Sequence, residues 1–249
     1  MNVVTIIGFL VVLLSAGALL VFSLSGRRAQ PPVFREIPAM SRLKEAVGQS
    51  VEDGTRLHIT LGSGSLTTLR GAPGLVGLGV VRRLGALTAL GDRPPVVSGG
   101  DAALVLLAQQ TLHDACRAAA AGEVYRPEAG RLTGLTPFSY AAGALPVTRD
   151  EDASVNVVMG NFGVEVALLT DAAERQGAFS LAASDNLTAQ AVLYATAREA
   201  LVGEELFATG AYIGAGAAHT ASVQIQDILR SLLIFGILSG VLLTLMGLL

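Results

Sequence analysis

Apolar residues fill the two ends of this chain, and shorter apolar and polar stretches alternate between them. Residues 3–24 and 231–249 contain no Asp, Glu, Lys, Arg or His. A membrane-crossing helix needs about 20 consecutive apolar residues, and both runs reach that length. The pattern predicts a transmembrane helix at each end. A cleaved signal peptide is the competing reading of the first run, but it wants basic residues before a short apolar core. Here Arg27 and Arg28 come after a long one, so an uncleaved span is expected.

Between the runs, 25–40 holds Pro31, Pro32 and Pro38 and reads as a semi-rigid linker. Ser41 is placed to cap a short helix through Val51, closed by Glu52-Asp53-Gly54. Residues 57–61 read as a strand ending in Gly62-Ser63-Gly64-Ser65, and a helix of small residues follows over 74–90. Residues 95–98 form a second expected strand. Gly99-Gly100-Asp101 then leads into a helix to 121, with Leu104, Leu107, Leu112 and Cys116 near one face. A third strand is expected at 131–135, and a short helix from Pro137.

The second half repeats this grammar. Residues 155–159 predict a strand and Gly160-Asn161-Phe162-Gly163 a tight loop, while 164–176 fits either a helix or a hairpin strand. A strand at 179–182, a cap at Ser184-Asp185-Asn186 and a helix over 187–201 follow. Another helix opens at Gly203, with Glu204 and Glu205 in its first turn. From 219 to 230 few helix breakers occur, so this stretch is expected to run into the second span as one helix.

Helices alternating with strands imply parallel strands joined by crossover helices. The expected fold is α/β: a layered, Rossmann-like domain with a largely parallel sheet, flanked by N- and C-terminal transmembrane helices. The expected division is a first span at 1–25, a linker and short helix at 26–54, an α/β domain at 55–217, and a juxtamembrane segment with the second span at 218–249.

Charge then sets the orientation. Arg27, Arg28, Arg35, Arg42 and Lys44 follow the first run and Arg230 precedes the second, whereas the outer flanks have neither Lys nor Arg. Lys and Arg favour the cytoplasmic side, which predicts a cytoplasmic domain with both termini outside. A net charge of −3 gives no electrostatic basis for a nucleic-acid partner. Cys116 is the single cysteine, which excludes an internal disulfide and suits a small core residue.

The stretches RLKEAVGQSVEDGTRLHITLG, TPFSYAAG, NVVMGNFGVEVALL and LYATAREALVGEELFATGAYIGA resemble those of an uncharacterised bacterial membrane-protein family. That family is known only as a domain of unknown function and is common in filamentous, often thermophilic Chloroflexota. The resemblance covers nearly the whole central domain and the second run. It implies a bacterial membrane protein and brings no activity or known catalytic residues; the two spans are expected in the inner membrane.

Residues that carry chemistry are sparse. Gly62-x-Gly64 follows a strand, but the third glycine of a dinucleotide loop is replaced by Thr67. Ser98 and Ser139 lack a nucleophile elbow. His58, His113 and His219 are too scattered for a metal site. No catalytic residue, metal or cofactor is expected. Open parallel sheets take ligands outside the carboxyl ends of their strands, where the strand order reverses. The polar residues expected there are Ser63, Ser65, Ser98, Asp101, Asn161, Asp185 and Asn186. They read either as helix caps or as a site for a small anionic metabolite or nucleotide.

The second run has the most specific spacing. Gly236, Gly240, Thr244 and Gly247 line one helical face, and Gly236-x-x-x-Gly240 lets two membrane helices approach backbone to backbone. The partner is either the first run, where Ser15, Ala16, Gly17 and Ala18 cluster, or another subunit. The low charge of 71–90 marks that helix as core or as a subunit surface. The expected function is a membrane-anchored structural protein that forms a large homo-oligomer, with itself and membrane lipids as partners. The alternative is a membrane-tethered sensor or carrier with a small ligand at the strand ends.

Overall fold

In the computed structural model, which describes residues 3–25, 34–68, 71–89, 91 and 93–247, six short strands form one sheet. They are β1 (Arg56–Gly62), β2 (Val96–Gly99), β3 (Gly130–Leu132), β4 (Ala153–Asn161), β5 (Phe179–Ser184) and β6 (Glu199–Leu201). Their order is β3-β2-β1-β4-β5-β6, and every neighbouring pair is parallel. The order reverses between β1 and β4, as in a doubly wound Rossmann-like sheet. Valine, isoleucine, leucine and alanine make up most of the buried strand positions, with His58, Thr60, Ser98 and Asn156 among them, and helices cover both faces of the sheet.

The helices between strands are α3 (Ala72–Thr88), α4 (Ala102–Ala118), α5 (Pro137–Asp150), α6 (Val166–Arg175) and α7 (Leu187–Thr196). Before the sheet comes α2 (Pro38–Glu52), and after it α8 (Glu205–Tyr212). On one face, α2, α3, α4 and α8 pack over Leu57, Ile59, Leu61, Val155, Val157, Met159 and Leu181. On the other, α5, α6 and α7 contribute Tyr140, Ala144, Val166, Leu169, Ala189 and Leu193 around Val158 and Ala182. Local chemistry starts several helices. Asp101 accepts from the backbone of Leu104 at 2.9 Å, Thr136 and Ser139 form a capping box around Pro137, and Asn186 accepts from Thr188 at 3.1 Å.

Several expectations need correction. The segment 187–201 is not one helix. It ends at Thr196 and turns into β6, because Glu199–Leu201 finds an open sheet edge to pair with. Short strands of this kind have no periodicity of their own, and pairing overrides propensity. The helix expected from Ser41 starts at Pro38, whose fixed φ suits a first turn. The third strand begins at Gly130 and stops at Leu132, Gly160 and Asn161 belong to β4, and 166–175 is helical rather than a hairpin. Leu107 is 44% exposed; Val105 and Ala108 take its place on the buried arc of α4 with Leu104, Leu112 and Cys116. The sparsely charged α3 is a core helix, packed on β1, β4, α2, α4 and α8.

The chain separates into two compact units, Arg35–Ala215 and a terminal unit of Met1–Phe34 with Gly216–Leu249. The short helix α2 belongs to the sheet domain, with Leu43 and Val47 in its core. Of the expected linker, 26–33 lies outside the described residues, and Pro38, Ala39 and Met40 open α2. In the terminal unit α1 (Val3–Ser25) packs against α9 (Ala217–Leu245). Both helices are long and apolar enough to cross a membrane. As expected, α9 runs unbroken from its polar first half into the uncharged second half.

Candidate functional site

The polar residues expected at the carboxyl ends of the strands are spread over four exits, and most are committed to the fold. Asn161 donates to Asp185 at 2.7 Å, and Asn186 donates to the carbonyl of Phe162 at 2.9 Å, so these three residues meet across the β4 and β5 exits. Asp101 stands past β2 as the cap of α4. Ser65 hydrogen-bonds Thr67 at 3.0 Å in the loop after β1, where Ser63 also lies. Ser98 is fully buried inside the sheet and apart from the others.

Where the strand order reverses, backbone closes the gap. Gly62 pairs with Asn161, and the amide of Ser63 extends the ladder to the carbonyl of Asn161 at 3.1 Å. Gly100 donates to Gly62 at 2.9 Å, which ties the β2 exit to the β1 exit. A Cβ at Gly160 would collide with the carbonyl of Leu61, and one at Gly62 with the carbonyl of Asn161. Gly62 also holds φ +79, a left-handed conformation that glycine adopts without penalty. Among the described residues the β1 and β4 exits are joined rather than parted.

A different polar constellation lies under α5. His58 and Thr60 of β1, Ser98 of β2 and Tyr140 of α5 are each 1% exposed or less. Ser98 Oγ donates to Thr60 Oγ1 at 2.8 Å and accepts from His58 Nε2 at 2.8 Å. That assigns the imidazole proton to Nε2 and leaves Nδ1 to accept from Thr148 Oγ1 at 3.4 Å. Tyr140 Oη shares a hydrogen bond with Thr60 Oγ1. Burial drives the His58 pKa down to about 4 and pushes the Tyr140 phenol up. Both stay neutral over the physiological range. Asn156 Oδ1 is buried with no hydrogen-bond partner. With every member closed off from solvent, the chain of hydroxyls and imidazole fixes strand register. It presents no reactive group to a ligand.

At the amino ends of the strands charge collects. Glu151 bridges Arg56 and Arg131. Burial alone would raise its pKa, but the two guanidiniums outweigh it and hold the carboxyl below the usual range. Beside this trio is a hollow of about 440 Å³ lined by Arg56, Arg126 and Arg131 but also by Glu123 and Glu128. The carboxylates offset most of its positive charge. Sequence reading missed both clusters. For the buried cluster the signal was the alternation along β1, where His58 and Thr60 fall between Leu57, Ile59 and Leu61.

On α9, a Cβ built at Gly236 or Gly240 meets nothing within 4 Å, although α1 packs on the same helix. Thr244 turns its hydroxyl back to the carbonyl of Gly240 at 2.9 Å. Gly247 does not extend the face. It lies beyond the helix end with φ +70, a left-handed stop.

With fold and sites in view, comparison with known proteins places the whole chain in one family. The family described as Domain of unknown function (DUF6754) matches residues 1–249, and the chain belongs to it. No curated protein and no solved structure matches the chain.

Proposed function

We propose that this member of the family is a membrane-anchored structural protein that self-associates into a large homo-oligomer, with lipid packed around its helices. The observation that carries this reading is the groove on α9. Its small residues leave a notch that α1 does not fill at Gly236 or Gly240, and a backbone-deep notch in an apolar helix is a packing surface for another helix. Identical subunits supply that helix. The polar residues at the strand exits support the alternative ligand reading less well, because they cap helices and tie loops together.

The proposed arrangement puts two spans in a bacterial inner membrane, the sheet domain in the cytoplasm and both termini outside, as the basic residues flanking the spans favour. Leucine at Gly236 and Gly240 would hold helices apart. The double variant Gly236→Leu/Gly240→Leu should yield smaller particles in mild detergent while the circular dichroism of the domain is unchanged. Particles of unaltered size would remove the groove from the account. Cysteines introduced at Asn2 should react with an impermeant maleimide on intact cells; a reaction confined to inverted vesicles would reverse the topology.

A further inference from the structure

The sheet stops at β3 on one side and β6 on the other, and among the described residues no strand lies beyond either. Along a strand, the backbone groups of successive residues point to opposite sides. Thr133 donates its amide to the carbonyl of Gly99 on β2, so Leu132 directs its N–H and C=O outward. Natural edges are commonly protected by proline, lysine or a bulge. Neither edge here has one. β3 is Gly130-Arg131-Leu132, β6 is Glu199-Ala200-Leu201, and each pairs with its inner neighbour without a register shift. Their charged residues turn back into the domain, Arg131 to Glu151 and Glu199 to Arg42.

Exposed apolar side chains flank both edges. Gln109 of α4 donates to the carbonyl of Gly130 at 2.9 Å, which puts Leu106, one turn earlier on the same side of α4, beside β3 with Leu132. At the other edge Gln190 of α7 accepts from the amide of Gly203 at 3.3 Å, just past β6, and Tyr194 follows one turn later on that flank. Exposed charges stand at the amino end of each edge, without ion pairs among the described residues. Before β3 they are two carboxylates and one guanidinium, Glu123, Glu128 and Arg126; before β6 there is Arg198.

We infer that β6 of one copy adds to β3 of the next, extending the parallel sheet from chain to chain. This rests on the self-association proposed above and gives it a second surface, in the sheet domain. An all-parallel sheet ends in two unlike edges that continue one pattern when joined head to tail, and the opposite charges at their amino ends then meet. That selects a second copy as the occupant. Faces set the register. A Cβ at Gly130 would run into Gln109 of α4, so Leu132, two residues on, shares the α4 face, and Leu201 belongs to the aliphatic core on that face. Pairing Leu132 with Leu201 keeps every side chain on its own face and sets Arg198 opposite Ala129, next to Glu128. Within one chain the two edges are five strand spacings apart, about 24 Å, so Glu128 and Arg198 meet only between copies.

Leu132→Pro removes an amide that no strand of its own chain uses, so it blocks the added ladder and spares the fold. In mild detergent the full-length variant should keep its circular dichroism and lose about half or more of the particle mass, because each broken head-to-tail contact opens the assembly. Glu128→Arg and Arg198→Glu should each lower the mass by setting like charges together, and the double variant Glu128→Arg/Arg198→Glu should restore it. The rescue reads contact between copies, and it decides the question if Leu132→Pro disturbs folding. A well-folded Leu132→Pro particle of wild-type mass, or a double variant no larger than the single ones, overturns the edge contact and leaves self-association through α9 standing. A wild-type particle of one chain overturns both.

Discussion

The two faces of the sheet are built from the same strands and held by different physics. Leu57, Ile59 and Leu61 belong to the core under α2 and α3, an apolar cluster made mostly of aliphatic side chains. His58 and Thr60, the residues between them, point toward α5 and bond to Ser98, Thr148 and Tyr140. The aliphatic face gains from area removed from water, which is indifferent to direction. The polar face gains little net energy per bond but loses heavily when one partner is removed, because a buried donor is left unmade. The first face therefore rests on burial alone, whereas the second adds to its own apolar core around Val158 and Ala182 a polar cluster that fixes register and tolerates little change.

The largest expected effect is on the aliphatic face. Ile59→Ala, at a site with no exposure, should cost about 4 kcal/mol by urea unfolding of the detergent-solubilised protein. A cost under about 1 kcal/mol would mean that this face is loosely packed. Next comes acid. His58 titrates near 6.5 when unfolded and near 4 when folded, so between those values the unfolded chain binds more protons. Stability is then complete above pH 6.5 and falls as pH drops toward 4, by about 3 kcal/mol in all. His58→Gln should remove this slope; a slope that survives belongs to other groups.

A smaller effect is expected from Ser98→Ala, which strands His58 Nε2–H and deprives Thr60 of a donor, at about 2 kcal/mol. If that change costs nothing, water or a rearranged hydroxyl replaces Ser98 and the polar face is less directional than its geometry implies. The smallest is Ile59→Leu, which keeps volume on the aliphatic face and should cost under about 1.5 kcal/mol. The ratio of the last two sharpens the comparison: removing one oxygen should matter more than rearranging a whole aliphatic side chain.

Much of this architecture was legible in the chain. The strand–glycine–helix passages, the caps at Asp101 and Asn186 and the parallel sheet follow from local signals that the tertiary structure respects. β6 was not legible, because a three-residue strand takes its conformation from its neighbour β5. Nor was the exposure of Leu107, since a helix face narrows when flanking helices cover only part of it. The carboxyl-end residues were legible as polar positions at strand exits. What sequence did not disclose is that Gly62 and Gly160 bring the β1 and β4 backbones so close that the exits are laced together. His58 read as an isolated histidine because its partners Ser98 and Thr148 lie 40 and 90 residues away.

Self-association requires that another copy of the chain fills the α9 groove. Its most direct test is the mass of the full-length protein extracted in a mild detergent, measured by light scattering with the detergent contribution subtracted. Self-association predicts a single particle many times the 25.5 kDa chain, which the Gly236→Leu/Gly240→Leu variant breaks down. A monodisperse particle at the mass of one chain would contradict it.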